Sequence, residues 1–257
     1  MNADIKALIE DAQLVLVGIG EEFYDFKNAK ANAEYRAAVE KIEAKNKMWL
    51  IPLLNYHYIQ KNNPSAREAL KKLAHLLSDK NYYVVSVCAN GLTEKAGFKR
   101  DRLVSPCGSI FKLQCMNHCE ASVRDITETE LEEACGKLDK NAIEEISFGK
   151  CPTCGAEMCL NNVYTEKYDE NGYLPDWNIY TKWLQGTLNR KLCVLELGVN
   201  LTYPSVIRWP FEKVGFYNQK ASFVRVNEKL YQLTEDLKDK GISIPKNSID
   251  WLLEEDL

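Results

Sequence analysis

The sequence predicts a doubly wound, parallel α/β sheet with a small metal-bearing insert and a helical lobe. Three observations carry this. Four short apolar runs punctuate the chain: "LVLVGIG" from Leu14, "YYVVSVCANG" from Tyr82, "LCVLELG" from Leu192 and "ASFVRVN" from Ala221. Continuous apolar runs of this length suit strands buried on both faces. Charged stretches of helical length alternate with them, the pattern of a parallel sheet wrapped by helices. Between Cys115 and about Pro175 the chain turns polar and cysteine-rich, with little periodicity.

The remaining elements follow in order. "DIKALIEDA" is a short helix with Ile5, Leu8 and Ile9 on one stripe. "NAEYRAAVEKIEAKNK" is a charged helix, and "MWLIPLLNYHYIQ" a buried one broken near Pro52. "NPSAREALKKLAHLLSDK" is a helix with Pro64 near its start. "NIYTKWLQGTLNRK" is a helix whose aromatic residues pack on the sheet, and "PSVIRWPFEKVGFYN" a helix with a break at Pro210. "EKLYQLTEDLKDKG" and "SIDWLLEEDL" close the chain as helices. There is no internal repeat.

Composition narrows the function. The 257 residues are 46% apolar, with a net charge of -4. This chain is long enough for a sizeable core and is not built to wrap nucleic acid. No run of about 18 apolar residues predicts a membrane span. The polar N-terminus lacks the layout of a signal peptide, so a cytoplasmic protein is expected. Nine cysteines in that setting point to metal or chemistry rather than disulfides.

"CMNHC" holds Cys115 and Cys119, and "CPTCG" holds Cys151 and Cys154. Two thiol hairpins from distant segments make a tetrahedral cage suited to a structural Zn2+, with His118 as the alternative to Cys119. Cys135, Cys159 and Cys193 read as packed thiols. Gly18 and Gly20 follow the first apolar run as G-x-G, the spacing that lets a phosphate approach backbone. Glu21 and Glu22 come next; two carboxylates there repel a pyrophosphate or bond ribose hydroxyls. Gly198 and Asn200 end the third run, and Asn227 ends the fourth. Ligands bind beyond the carboxyl ends of such strands, so these residues define one expected nucleotide crevice.

In order, these motifs resemble the sirtuin family of NAD-consuming enzymes over nearly the whole chain. "GIG" resembles the family's Gly-Ala-Gly, and "VCANGLTEKAG" from Val87 its Asn-Ile-Asp-Gly-Leu turn. "SPCGSIFKLQC" resembles its Leu-His-Gly-Ser segment, and the four cysteines its zinc ligands. "LELGVNLTYPSVIRWPF" is similar to the macrodomain-linked microbial branch, whose members tend to mono-ADP-ribosylation. The resemblance implies a Rossmann-like NAD-binding domain over residues 1–27, 76–114 and 178–257. It implies a helical lobe over 28–75 and a zinc module over 115–177. NAD and Zn2+ are the implied cofactors, with an acylated protein or an ADP-ribose acceptor as substrate.

The departures fall on the chemistry. Cys107 stands where the family has its catalytic His, and Cys88 and Asn90 where it has the Asn and Asp of the nicotinamide pocket. The resemblance makes Cys88, Asn90, Gly18, Gly20, Glu21, Gly198, Asn200 and Asn227 the cofactor-binding set. Asn227 is implied as an adenosine contact. The family's arginine-bearing loop is missing, with "EEFYDF" in its vicinity. Three roles are open to Cys107: general base, nucleophile at the ribose C1′, or inert turn residue in a protein that only senses NAD or ADP-ribose. Arg208 reads as a phosphate contact or a surface charge, and His57 and His75 as packing residues.

Overall fold

The computed structural model describes residues 2–120 and 122–254. Its main sheet has six parallel strands: β1 Leu14–Ile19, β2 Tyr82–Ser86, β3 Leu103–Val104, β7 Leu192–Leu197, β8 Ala221–Val226 and β9 Gly241–Ile244. They lie in the order β3-β2-β1-β7-β8-β9.

Alternation along each strand divides the core into two layers. Val15, Val17 and Ile19 of β1 face one side, with α1 Asn2–Asp11, α5 Ser65–Leu76 and α9 Ser248–Glu254. Leu14 and Leu16 face the other, with α7 Leu174–Gln185 and α8 Arg208–Tyr217. Helices therefore cover both faces, as the apolar runs predict. The order reverses between β1 and β7, and a crevice forms at such a switch point, beyond the carboxyl ends of the strands.

The second body joins two stretches of chain. One supplies α2 Phe26–Ala31, α3 Ala33–Ala44 and α4 Ile51–Asn62. The other supplies a small antiparallel sheet, ordered β5-β4-β6, from β4 Gly108–Cys115, β5 Arg124–Asp125 and β6 Met158–Asn162, together with α6 Glu128–Asp139. Leu50, Leu53 and Leu54 share one core with Ile110, Leu113, Phe148 and Leu160. Asn162 donates to the Trp49 carbonyl at 3.0 Å, and Lys47 donates to carbonyls of Ile143, Glu144 and Ile146.

Several elements differ from the sequence reading. The break expected near Pro52 falls where a 3-10 turn, Met48–Leu50, gives way to α4 at Ile51; Pro210 breaks nothing and lies in the first turn of α8, where a missing N–H costs nothing. Residues 228–241 do not form the expected helix. The Asn227 side chain accepts from the N–H groups of Lys229 and Leu230 and turns the chain instead. A 3-10 turn at Glu235–Leu237 then leads into β9 at the sheet edge. The polar middle contains α6, started by a capping box between Thr127 and Glu130. The last part of "SIDWLLEEDL", residues 255–257, lies outside the described residues.

Candidate functional site

The crevice opens where β1 and β7 end. Gly20 closes on the neighbouring strand so tightly that a Cβ there would sit 2.3 Å from the Gly198 carbonyl and the Val199 backbone. Gly18 lies inside β1 rather than beyond it. Its missing Cβ makes room for Ile207 and Phe211, so in this structure it is a packing glycine under α8.

A single 3-10 turn, Glu21–Tyr24, spans the crevice. Its side chains take up backbone donors at several strand ends. Glu21 accepts from Asn200 N–H at 2.8 Å. Glu22 accepts from Glu228 N–H at 2.8 Å and Ser248 N–H at 2.7 Å. The Tyr24 hydroxyl accepts from Ala89 N–H at 2.8 Å, while its ring stacks on Phe26 with centroids 4.7 Å apart. Asp25 ends the turn in the left-handed region, φ 48°, and its side chain accepts from Asn63. Outside this turn lies a cavity of about 750 Å3, lined by Glu21, Tyr24, Tyr164, Asn200, Tyr203 and Asn247 among others. That volume falls in the range of small-molecule and cofactor sites.

Cys88 and Cys107 lie behind the turn, both almost fully buried. The Cys88 thiol donates to the Gly20 carbonyl at 3.0 Å. Cys107 sits in the bend that leads into β4, where Gly108 has φ 94° and lies against the backbone of Asn161 and Asn162. Val163 donates to the Cys107 carbonyl, and Tyr168 to that of Pro106. Burial, and after it the Glu21 carboxylate, push the Cys107 thiol well above its ordinary range. The same two causes, with Cys107 itself and Glu94 adding to them, push Cys88 up. Both are thiols at neutral pH. Asn90 is buried and turned inward: it donates to Asn55 and the Phe23 carbonyl and accepts from Leu92 N–H.

Gly198 adopts φ 64°, and its N–H donates to the Val226 carbonyl. Asn227 donates to the Val199 carbonyl at 3.0 Å and to Asn200 Oδ1 at 3.3 Å. Its amide thereby knits the ends of β7 and β8. Arg208 is neither a surface charge nor free for a phosphate. It pairs with Glu196 at 3.1 Å, both buried, and donates to the carbonyls of Val199 and Leu230. Arg225 closes the cluster on Glu196 and Glu212 at 2.7 Å each. Sequence reading also missed Tyr24, Tyr164 and Tyr203, which line the cavity. The aromatic "EEFYDF" just past a strand end is the signal that was available for Tyr24.

The four thiols of Cys115, Cys119, Cys151 and Cys154 all lie within 4.8 Å of one another. Cys115 and Cys154 are 3.5 Å apart, close to the roughly 3.8 Å sulfur spacing of a tetrahedral Zn2+ with bonds of about 2.3 Å. Backbone N–H groups of Cys154 and Thr153 hold the Cys151 thiol down, to about 6. The donor set fits zinc. His118 turns away from the cluster, 3.8 Å from Asp169.

An open parallel sheet with a crevice at its strand ends and a four-thiol module defines an α/β protein with an inserted cysteine cluster. Comparison with solved structures narrows this to the sirtuin fold. A mutant Sir2 homologue in complex with ADP-ribose matches with a TM-score of 0.58 at 12% identity, covering 98% of this chain and 94% of that one. Sir2 with a p53 peptide and NAD+ matches with a TM-score of 0.55 at 13% identity, covering 98% and 96%. No protein-family model matches the chain. Among curated proteins, a protein ADP-ribosyltransferase of Staphylococcus aureus (strain Mu50 / ATCC 700699) is 19% identical over 265 residues. That alignment covers 95% of this chain and 83% of the relative. A probable bifunctional ADP-ribose hydrolase/ADP-ribosyltransferase of Fusarium oxysporum f. sp. cubense is 29% identical over 129 residues, 48% of this chain and 22% of that protein. Among the described residues no helix is long and apolar enough to cross a membrane.

Proposed function

We propose that this chain is an NAD-dependent ADP-ribosyltransferase built on the sirtuin fold, acting on a protein acceptor. The observation that carries the reading is the crevice at the β1–β7 switch point, joined to a sirtuin-type thiol module. The names of the two curated relatives and the ADP-ribose and NAD+ of the structural neighbours support it. NAD supplies an activated ADP-ribosyl group with nicotinamide as its leaving group.

The chain's own residues then divide the work. Asn200 and the edge of the turn at Glu21, both on the cavity wall, border the path of the dinucleotide, and Gly20 lets the two strand ends close behind them. Cys107 and Cys88 stay protonated behind the turn, as buried, uncharged packing beneath the cavity. Glu21 brings a carboxylate to the same centre, held by Asn200 N–H. A carboxylate positioned beside the reacting centre favours positive charge developing there. Glu21 is thus the electrostatic residue of the reacting end, and Cys107 is neither base nor nucleophile in this conformation. The cysteine quartet holds Zn2+ structurally, because four thiolates leave no open position.

The test is nicotinamide release from NAD by the zinc-loaded protein, beside the C107A and E21Q variants and with protein mass recorded. Release that survives C107A and fails in E21Q, with a gain of one ADP-ribose on an acceptor, is the expected result. Release coupled to O-acyl-ADP-ribose from an acyl-lysine peptide would make the chain a deacylase. NAD binding without release under any acceptor would make it a sensor.

A further inference from the structure

A second cavity, of about 330 Å3, lies where the edge of the main sheet meets the small sheet, on the far side of the Ser105–Ser109 bend. Its floor holds two acceptors that the fold leaves unused. Oε2 of Glu94 and Oδ1 of Asn161 are both buried without a hydrogen-bond partner. The orientation of Asn161 is fixed, since its amide nitrogen donates to Gln114 Oε1 and the Asp169 carbonyl at 2.8 Å each. A Cβ on Gly172 would lie 2.0 Å from Asn161 Oδ1, so any side chain there would cover this oxygen. Glu94 Oε1 accepts from the Ser105 hydroxyl at 3.3 Å, and the Ser109 side chain also supports the carboxylate.

The rim carries cations, yet they are engaged with each other's neighbours. Arg100 pairs with Asp176 at 2.9 Å, and Lys112 with Asp125 at 3.4 Å. Lys95 sits over the Phe111 ring, 5.0 Å from its centroid. None of them forms an ion pair with Glu94. Burial pushes its carboxyl up, against the hydrogen bonds of Ser109 and Ser105 and the charge of Arg100. A bound water would satisfy both oxygens as acceptors but would bring no charge to stabilise the ionised carboxylate.

We propose that this cavity binds an organic cation, a primary ammonium or guanidinium group, which donates to Glu94 Oε2 and Asn161 Oδ1. The site is separate from the crevice, and its assignment does not rest on the reaction proposed there. The group arrives either as a free amine or as a basic side chain.

Calorimetric titration of the zinc-loaded protein tests it with three probes: agmatine, N-acetyl-lysine methylamide, and the neutral Nε-acetylated form of the latter. Saturable binding of one or both cationic probes, none of the neutral one, and a loss of at least about tenfold in E94Q are expected. Agmatine binding alone indicates a free amine, and lysine-probe binding a side chain. Amide resonances of Ser105, Glu94 and Ser109 should shift on titration of the wild-type protein, which keeps the test independent of how E94Q folds. Equal affinity in a folded E94Q, shifts confined to other residues, or no saturable binding of either cation would overturn the proposal.

Discussion

The Tyr24 hydroxyl accepts the backbone N–H of Ala89, the residue between Cys88 and Asn90. The protein's own phenol thus takes up a buried amide donor between two residues expected from the sequence to meet the cofactor. Tyr24→Phe leaves that buried N–H unpaired and should cost about 1–3 kcal/mol. Thermal melts should show the loss in the free protein and a smaller loss at saturating NAD, because a ligand amide can take the vacated donor. An equal deficit in both conditions would remove Ala89 from the ligand's reach.

Cys88 and Cys107 are buried thiols whose folded pKa values are raised by burial first and Glu21 second. The unfolded chain ionises them near about 8.5. The folded state binds their protons more tightly, so their contribution to stability is complete below that pH and declines as pH rises above it. Denaturant titrations from pH 7 to 10 should show this decline, and a C88A/C107A double variant should flatten it. Iodoacetamide at pH 8 should label Cys107 far more slowly than the exposed Cys154 in metal-free protein, as read by peptide mass.

Glu21→Gln retains a carbonyl to accept Asn200 N–H and removes only the charge. Nicotinamide release should fall about 10- to 100-fold with NAD affinity changed only a few-fold. Equal losses in binding and rate would instead make Glu21 a cofactor-holding residue.

Arg208 is the buried link between α8 and the loops after β7 and β8. Arg208→Met leaves Glu196 with Arg225 as its remaining partner and should destabilise the fold by about 3–5 kcal/mol. It should also raise the KM for NAD, since the Val199 and Leu230 carbonyls lose their anchor. An unchanged melting temperature would show that Arg225 alone neutralises Glu196.

Chelation should unfold more than the cysteine module. The same core that packs Cys115, Cys151 and Met158 also packs Trp49, Leu53 and Leu54. Hydrogen exchange after zinc removal should therefore rise in α3 and α4 as well as in β4 and β6, and a rise limited to residues 115–160 would contradict this.

Four strands of the main sheet could be read from sequence because they are buried on both sides and so are largely apolar, as in "LVLV" and "LCVL"; β3, two residues long, could not. β9 escaped notice because it is a short edge strand, half-buried along "GIS", and follows a segment with helix-like spacing. The thiol quartet was plain because ligand spacing is written into the chain. The occupancy of the crevice was not. Glu21, Glu22 and Tyr24 reach partners 65 to 226 residues away, and no local pattern encodes such pairings. Arg208 misled for the same reason: "VIRWPF" looks amphipathic, and its counter-charge Glu196 lies inside an apolar strand.

The chain leaves the six-stranded sheet twice, after Tyr24 and again after Cys107, and both excursions end in the same core. What looks along the sequence like two appendages is one jaw, stitched from two loops of polypeptide and riveted by thiols at its far edge. Tyr24 and Cys107 stand at the two roots of that jaw. The chain comes back from it near Asn63 and Val163, so four crossings of polypeptide tie the jaw to the sheet.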